Sequence, residues 1–475
     1  MPKTEFFDYE PLSRQGSIRQ KKRTEASVVP PMNMEALSES STDQVTSTGS
    51  LNGRTNAAAR LDNARDTSVL RHGHTLSFIG LFVFTFLVYF RPYEVFPSLV
   101  WLTGSAFWVA TFTLFCFIPT QLGLENRITI RTGEVNAVLL LVLAGLLSIP
   151  LALDRSKAWG AFVDYLKVIV MFIVMINVVR TLRRLNLLIG LVLLVSCVLS
   201  IGAIYDYETG NLALKGTRIV GVLGGLFENP NDIALHLVTI VPISAALLIS
   251  AKGIPKKIVL AVCALLMIGG VFVTFSRGGF LGLVCVFLVL AWKLARRNRA
   301  LVVVGAILLV GLAVAVAPSS YRTRISTTND DSAIARTDDL KRSIFIALHH
   351  PVFGVGMNNY ILFSNSNKAT HNSYTQVAAE MGFPALAVYI LLLLISLKSL
   401  RKTEKGAPFR SFAYYLSIGL QASLVGFMVS SFFASVVYLW YLYYLVGYTV
   451  ALARLSAGKA EVTMNEKGHA TQSFS

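Results

Sequence analysis

Apolar runs of about 20 residues, the length a helix needs to cross the hydrocarbon of a bilayer, recur along this chain and constrain its fold more than any other feature. Twelve are read, at 75–90, 97–118, 134–152, 158–178, 184–205, 231–250, 256–275, 277–294, 300–318, 372–397, 411–433 and 435–453. A backbone inside lipid must satisfy its own hydrogen bonds, so runs of this length cross as helices. The expected fold is all-α, a polytopic membrane protein with about twelve transmembrane helices. Composition agrees, with 54% hydrophobic and 15% charged residues, against about 25% charge in a soluble domain.

The formal charge of +17 would point to nucleic acid in a soluble protein. Here the basic residues sit in alternate short loops, as the positive-inside rule requires of cytoplasmic loops, and no nucleic-acid partner is read. Those loops carry Arg127 and Arg131; Arg180, Arg183 and Arg184; Lys252, Lys256 and Lys257; Lys293, Arg296, Arg297 and Arg299; and Lys398, Arg401, Lys402, Lys405 and Arg410. Both termini then face the cytoplasm. The loops 91–96, 153–157, 206–230 and 319–371, with the turns near Ser276 and Ala434, face the periplasm. The expected organisation is a disordered cytoplasmic tail over 1–74 without a cleavable signal, spans 1–9 over 75–318, a periplasmic loop over 319–371, spans 10–12 over 372–455, and a cytoplasmic tail over 456–475. The long loop is of a length that is usually functional. Within it Ala333 to His349 has amphipathic helical spacing, with Ile334, Leu340, Ile344, Phe345 and Leu348 apolar, and is expected to rest on the membrane surface or on the bundle. Pro351 ends that helix, and Gly354 and Gly356 permit a tight turn.

No Walker A motif, metal-ligand spacing or acidic cluster is present, so neither a cofactor nor a metal is expected. Cys116, Cys197, Cys263 and Cys285 all lie in apolar stretches and read as small hydrophobes. Chemistry on the outer side must therefore use an activated substrate. Arg218 lies in a Gly-rich loop and calls for an anionic partner. Arg277, between two apolar runs, either snorkels to headgroups or binds phosphate, for which its planar fork is suited. His371, at the head of the tenth span, either sits at the surface or takes a proton from a hydroxyl. Asn229, Pro230 and Asn231 read as a helix start. Glu380 either orients a partner or pairs with an arginine, the second being favoured. Asp164 and Lys167 read as an ion pair, and His236 as a packed, hydrogen-bonded histidine.

Three stretches together resemble the O-antigen ligase and polymerase superfamily of bacterial membrane glycosyltransferases. They are Arg218 to Gly221 with Phe227 to Ala234, Thr274 to Gly282, and Arg336 through the His350-Pro-Val-Phe-Gly-Val-Gly run to His371-Asn-Ser-Tyr and Glu380-Met-Gly-Phe. The likeness extends over roughly 75–455. It implies a metal-independent, inverting transfer from a glycan on undecaprenyl pyrophosphate. The acceptor is a hydroxyl of lipid A core for a ligase, or of a second lipid-linked repeat for a polymerase. It also implies that Arg218 and Arg277 hold the pyrophosphate, that His371 activates the acceptor, and that Arg336 and Asn372 support the site. The alternatives are a transporter of small anions or of lipid-linked glycan, and a non-catalytic scaffold. Many spans and intramembrane charges suit a transporter, but no inverted repeat is visible.

Overall fold

The computed structural model describes residues 73–212, 219, 221, 223, 227, 229–295, 304, 311, 331–364 and 369–472, with side chains omitted at 331–333 and from 459 onward. Among these residues the chain is helical and forms no named strand. Twelve helices are labelled here: α1 (Thr75–Phe90), α2 (Ser105–Glu125), α3 (Gly133–Ser148), α4 (Arg155–Val178), α5 (Leu182–Glu208), α6 (Pro230–Ser250), α7 (Ile254–Val273), α8 (Arg277–Leu294), α9 (Asp331–His349), α10 (Ser373–Gly406), α11 (Phe412–Ser430) and α12 (Trp440–Gln472).

Eleven of the twelve expected spans coincide with a helix; the twelfth, 300–318, lies almost wholly outside the described residues. Nine helical segments among the described residues are long and apolar enough to cross a membrane. The other two have physical reasons for falling short. Helix α3 is apolar but has only 16 residues. Helix α12 carries Tyr441, Tyr443, Tyr444 and Tyr448, whose hydroxyls lower its hydropathy, yet all four are buried. For two of them, Tyr443 and Tyr444, the hydroxyls find partners inside the bundle. Tyr443 Oη lies 2.7 Å from Tyr165 Oη, and Tyr444 Oη lies 2.7 Å from Thr85 Oγ1. A tyrosine in an apolar interior is tolerated when its polar tip is bonded in this way.

Helices α6 and α11 share the deep interior with α12, whereas α2 and α7 lie at the periphery and face outward over most of their length. Small residues bring α6, α8 and α11 together. A Cβ on Gly279 would meet Ala234 Cβ at 2.6 Å, and one on Gly426 would meet Val286 Cγ2 at 2.6 Å. In lipid, helix association rests on close packing of this kind, because apolar side chains gain little by leaving one another for lipid.

Contacts sort the loops into two groups at opposite ends of the bundle. At one end Tyr89 packs on Phe227, with ring centroids 6.2 Å apart, and Phe227 on Tyr441 at 6.1 Å. There too Tyr207 packs on Phe275 at 5.7 Å, and Asp154 N donates to Asn359 Oδ1 at 2.7 Å. At the other end His74 Nε2 lies 3.1 Å from Arg180 Nη2. Glu125 pairs with both Arg180 and Arg454 at 3.0 Å, Ile130 N donates to Asn177 Oδ1 at 3.1 Å, and Lys293 pairs with Glu404 at 2.7 Å. The second end thus gathers Arg180 and Lys293, from two of the loops that the charge alternation assigns to one side.

The amphipathic helix is observed as α9, running to His349 as expected. It has two apolar aspects. Ile346 and Ala347 are buried, Ile346 in a cluster with Val355, Tyr360 and Ala379. By contrast, of the residues that gave the helix its periodicity, Ile334, Ile344, Phe345 and Leu348 remain exposed and Leu340 is partly buried.

Candidate functional site

The first end of the bundle holds the candidate residues that fall within the described chain. Arg277 is the first residue of α8, and Ser276 caps that helix by accepting from Gly279 N at 3.2 Å. His371 precedes α10 in a left-handed backbone conformation, with φ of 54°. Asn372 caps α10, its Oδ1 accepting from Tyr374 N at 2.9 Å and Thr375 N at 3.1 Å. This is the usual way a helix satisfies its first amide groups. The cap turns the chain so that the residue before it, the histidine, sits at the mouth of the helix.

One short segment, Met428 to Val436, touches both of these helix starts. On the α8 side Ser430 Oγ donates to Gly278 O at 3.3 Å, and a Cβ on Gly278 would meet Phe433 Cβ at 2.6 Å. On the α10 side Ser373 Oγ donates to Ala434 O at 2.7 Å and accepts from Val436 N at 3.0 Å. There Thr370 Oγ1 also meets Ser435 Oγ at 3.0 Å, and Tyr374 Oη donates to Met428 O at 2.9 Å. Arg277 and His371 therefore flank the same hinge, 94 positions apart in sequence. Helix α6 starts beside them, with Asn229 Oδ1 accepting from Asn231 N at 2.9 Å and Pro230 in the first turn, as the helix-start reading required. Three helix N-termini thus gather at this end, and each carries partial positive charge that favours an anion.

The motif residues of the long loop have a structural task. Helix α10 is interrupted at Gly382, with φ of 87° and ψ of 171°, and Pro384 follows within the same helix. The loop after α9 docks on this break. Val355 N donates to Ala379 O at 2.9 Å, Gly356 N to Glu380 O at 3.0 Å, and Phe383 N to Pro351 O at 2.7 Å. The loop supplies bonds that the broken helix cannot make for itself. Close approach of the two backbones leaves no room for a side chain: a Cβ on Gly354 would lie 2.3 Å from Glu380 C, and one on Gly382 would lie 2.2 Å from Val352 O.

Glu380 departs from the favoured reading. Its carboxylate accepts from Tyr438 Oη at 2.7 Å and from Gln376 Nε2 at 3.5 Å, with backbone bonds from Asn358 and Tyr360. It forms no ion pair with an arginine among the described residues; the donors that reach it are a phenol, an amide and the main chain. It ties the loop to α10 and α12. Tyr438 was not picked out from the sequence, where it is one of several tyrosines in an apolar run. The other readings stand as made. Asp164 and Lys167 pair at 2.7 Å. His236 is buried, 2.9 Å from Ser196 Oγ and packed on Phe227 and Tyr89. All four cysteines are free thiols, with Cys197 buried and the other three partly so. Arg336 lies on α9, partly buried. Arg218 lies outside the described residues. Among the described residues no group of three or more His, Cys, Asp or Glu side chains is placed to hold a metal ion.

These features define a multi-pass helical membrane protein whose candidate side chains collect at one end of its bundle. The protein-family model described as O-antigen ligase (Wzy_C) matches residues 262–390, a stretch that takes in Arg277, α9, the docked loop, His371 and the Gly382 break. The resemblance to the O-antigen ligase and polymerase superfamily is thereby shown. The matched family is one of glycan transfer in O-antigen or polysaccharide assembly, and the match takes in about a quarter of the chain. A comparison with characterised proteins finds no match.

Proposed function

We propose that the chain transfers a glycan from undecaprenyl pyrophosphate to a sugar hydroxyl at the periplasmic face of the bacterial inner membrane, without a metal and with inversion. In this reading the end bearing Arg277 and His371 faces the periplasm, the basic end and both termini face the cytoplasm, and the full count of spans is twelve. Arg277, with Arg218, grips the diphosphate of the donor. Opposite it His371 accepts the proton of the acceptor hydroxyl as that oxygen attacks the anomeric carbon. The bond from that carbon to the diphosphate oxygen breaks, and lipid diphosphate leaves. Arg336 and Asn372 support the site, Asn372 by fixing the backbone turn that presents His371, and Glu380 holds the loop in place beneath it.

The observation that carries this reading is the shared hinge, Met428 to Val436, bonded to the starts of both α8 and α10. The helix starts that carry Arg277 and His371, remote in sequence, both pack on this one short segment, which supports bringing a guanidinium and an imidazole to one site. Helix N-termini there favour the growing negative charge of a departing diphosphate, and preorganised charge of this kind is commonly the largest catalytic contribution.

The test is transfer in vitro by the purified chain in lipid nanodiscs, offered each acceptor class. Arg277→Ala should slow transfer about ten- to a hundredfold, the equivalent of one charge-assisted hydrogen bond of about 1.5–3 kcal/mol. His371→Ala should slow it by about a hundredfold or more, as expected for loss of a general base. A single-transfer product on lipid A core identifies a ligase, and a ladder of repeats a polymerase. Full activity in both variants would refute the assignment.

A further inference from the structure

The exposed side of α9 carries large apolar residues. Phe345 is 61% exposed and Leu348 is 63% exposed, and Val352 and Phe353 follow them at the surface. Their loop is joined by main-chain bonds to two other exposed apolar residues that belong to the bundle wall. Phe383 N donates to Pro351 O at 2.7 Å, and Leu153 N donates to Val355 O at 3.4 Å. Trp159, in the second turn of α4, is exposed nearby along the chain from Leu153, and a tryptophan near a span end is the usual marker of a headgroup boundary.

Beside this apolar patch lies a groove of about 370 Å³, lined by Arg342, Phe345, Ile346, His349, His350 and Phe363. Arg342, Phe345, Ile346 and His349 follow the spacing of one helix face. The imidazole of His349 is held there, its ring 4.0 Å from that of Phe345 and its Nδ1 2.9 Å from Phe345 O. Arg342 Nη1 donates to Phe363 O, which closes the loop over the groove. Of the two acids one turn before Arg342, Asp339 is buried and accepts from Tyr360 Oη at 3.0 Å, and Asp338 is exposed and does not line the groove. The lining therefore combines a guanidinium and two imidazoles with apolar walls and no carboxylate.

We propose that this side of α9 docks on the bilayer and that its groove takes the phosphate of an anionic phospholipid headgroup. An amphipathic helix at an interface gains from buried apolar area and from attraction to anionic lipid together, and the planar fork of arginine suits a phosphate. The volume suits a headgroup with the upper part of its chains, being within the range of small-molecule sites. The proposal does not depend on glycan transfer, since it concerns the bilayer that any multi-pass chain must meet.

The test uses the full-length chain. Released from nanodiscs containing equal phosphatidylglycerol and phosphatidylcholine, it should retain phosphatidylglycerol in native mass spectra at least tenfold over phosphatidylcholine. Arg342→Gln should lose that preference and Arg342→Lys should keep most of it. A nitroxide at Leu348→Cys, with the four native cysteines replaced by alanine, should collide with oxygen rather than with a water-soluble nickel quencher, a readout that needs no change at Arg342. Equal retention of the two lipids, a water-like nitroxide, or an undiminished preference in Arg342→Gln would overturn the proposal. Displacement of the lipid by millimolar inorganic phosphate, or by undecaprenyl pyrophosphate, would also overturn it, by assigning the groove to a free anion or to a substrate.

Discussion

Gly382→Ala tests how the long loop is held on the bundle. Gly382 has φ of 87° and ψ of 171°, a region that residues with a Cβ essentially do not enter, at a cost of about 1–3 kcal/mol. The new Cβ would also lie 2.2 Å from Val352 O and 2.4 Å from Val352 C. Neither atom is the end of a flexible side chain, so the loop backbone itself must retreat. Retreat weakens the bonds from Val355 N, Gly356 N and Phe383 N, each with a net contribution of about 1 kcal/mol. The local penalty is then roughly 3–5 kcal/mol, equivalent to a hundredfold or greater rise in local opening. Hydrogen exchange read by mass spectrometry in nanodiscs should show that acceleration in peptides covering 351–358 and 379–385. Gly104→Ala is the control, because Gly104 has φ of 83° but open space around it. It should incur the backbone strain alone and leave those peptides unchanged. If exchange there is as slow in Gly382→Ala as in the parent, the loop is not locked on the helix break.

Tyr438→Phe removes one donor from the buried carboxylate of Glu380 and should lower stability by about 1–3 kcal/mol; an unchanged melting temperature in nanodiscs would contradict the clamp. Burial, aided by the Arg180 and Arg184 guanidiniums, lowers His74 to about 4 from the ordinary 6.5. Between those values the unfolded chain binds a proton that the folded chain refuses, so its contribution to stability is full above about pH 6.5 and falls as pH drops towards 4. His74→Gln should flatten that part of the pH profile of thermal unfolding, and a slope identical to the parent's would show that other groups cause it.

Much of the architecture was legible because lipid imposes a single rule on the backbone. Apolar length gave the helices and alternating charge gave the two ends, and both survive in the contacts made by Glu125, Arg180 and Arg454 at one end and Phe227 and Tyr441 at the other. Hydropathy understates α12, where Tyr443 and Tyr444 are buried through bonds to Tyr165 and Thr85 that no local pattern announces. Gly354 was visible as a turn signal and Gly382 only as part of a motif, and their pairing across 28 residues was not visible. It depends on two backbones approaching in space, and sequence records only that a side chain is absent from each. For the same reason Glu380 was read as an ion-pair partner: an acid inside a span suggests a cation, whereas a phenol and main-chain amides satisfy it here. Asn372 was noticed beside His371, yet its capping role became plain only with the start of α10.

The central claim is a division of labour at the hinge end, with Arg277 holding the diphosphate and His371 moving the proton. Binding of undecaprenyl pyrophosphate to the purified chain, measured alongside transfer on the same preparations, separates the two. The account predicts that Arg277→Ala binds the lipid diphosphate about ten- to a hundredfold more weakly, whereas His371→Ala binds it as the parent does and fails to transfer. Parent-like binding by Arg277→Ala, or unimpaired transfer by His371→Ala, would contradict it.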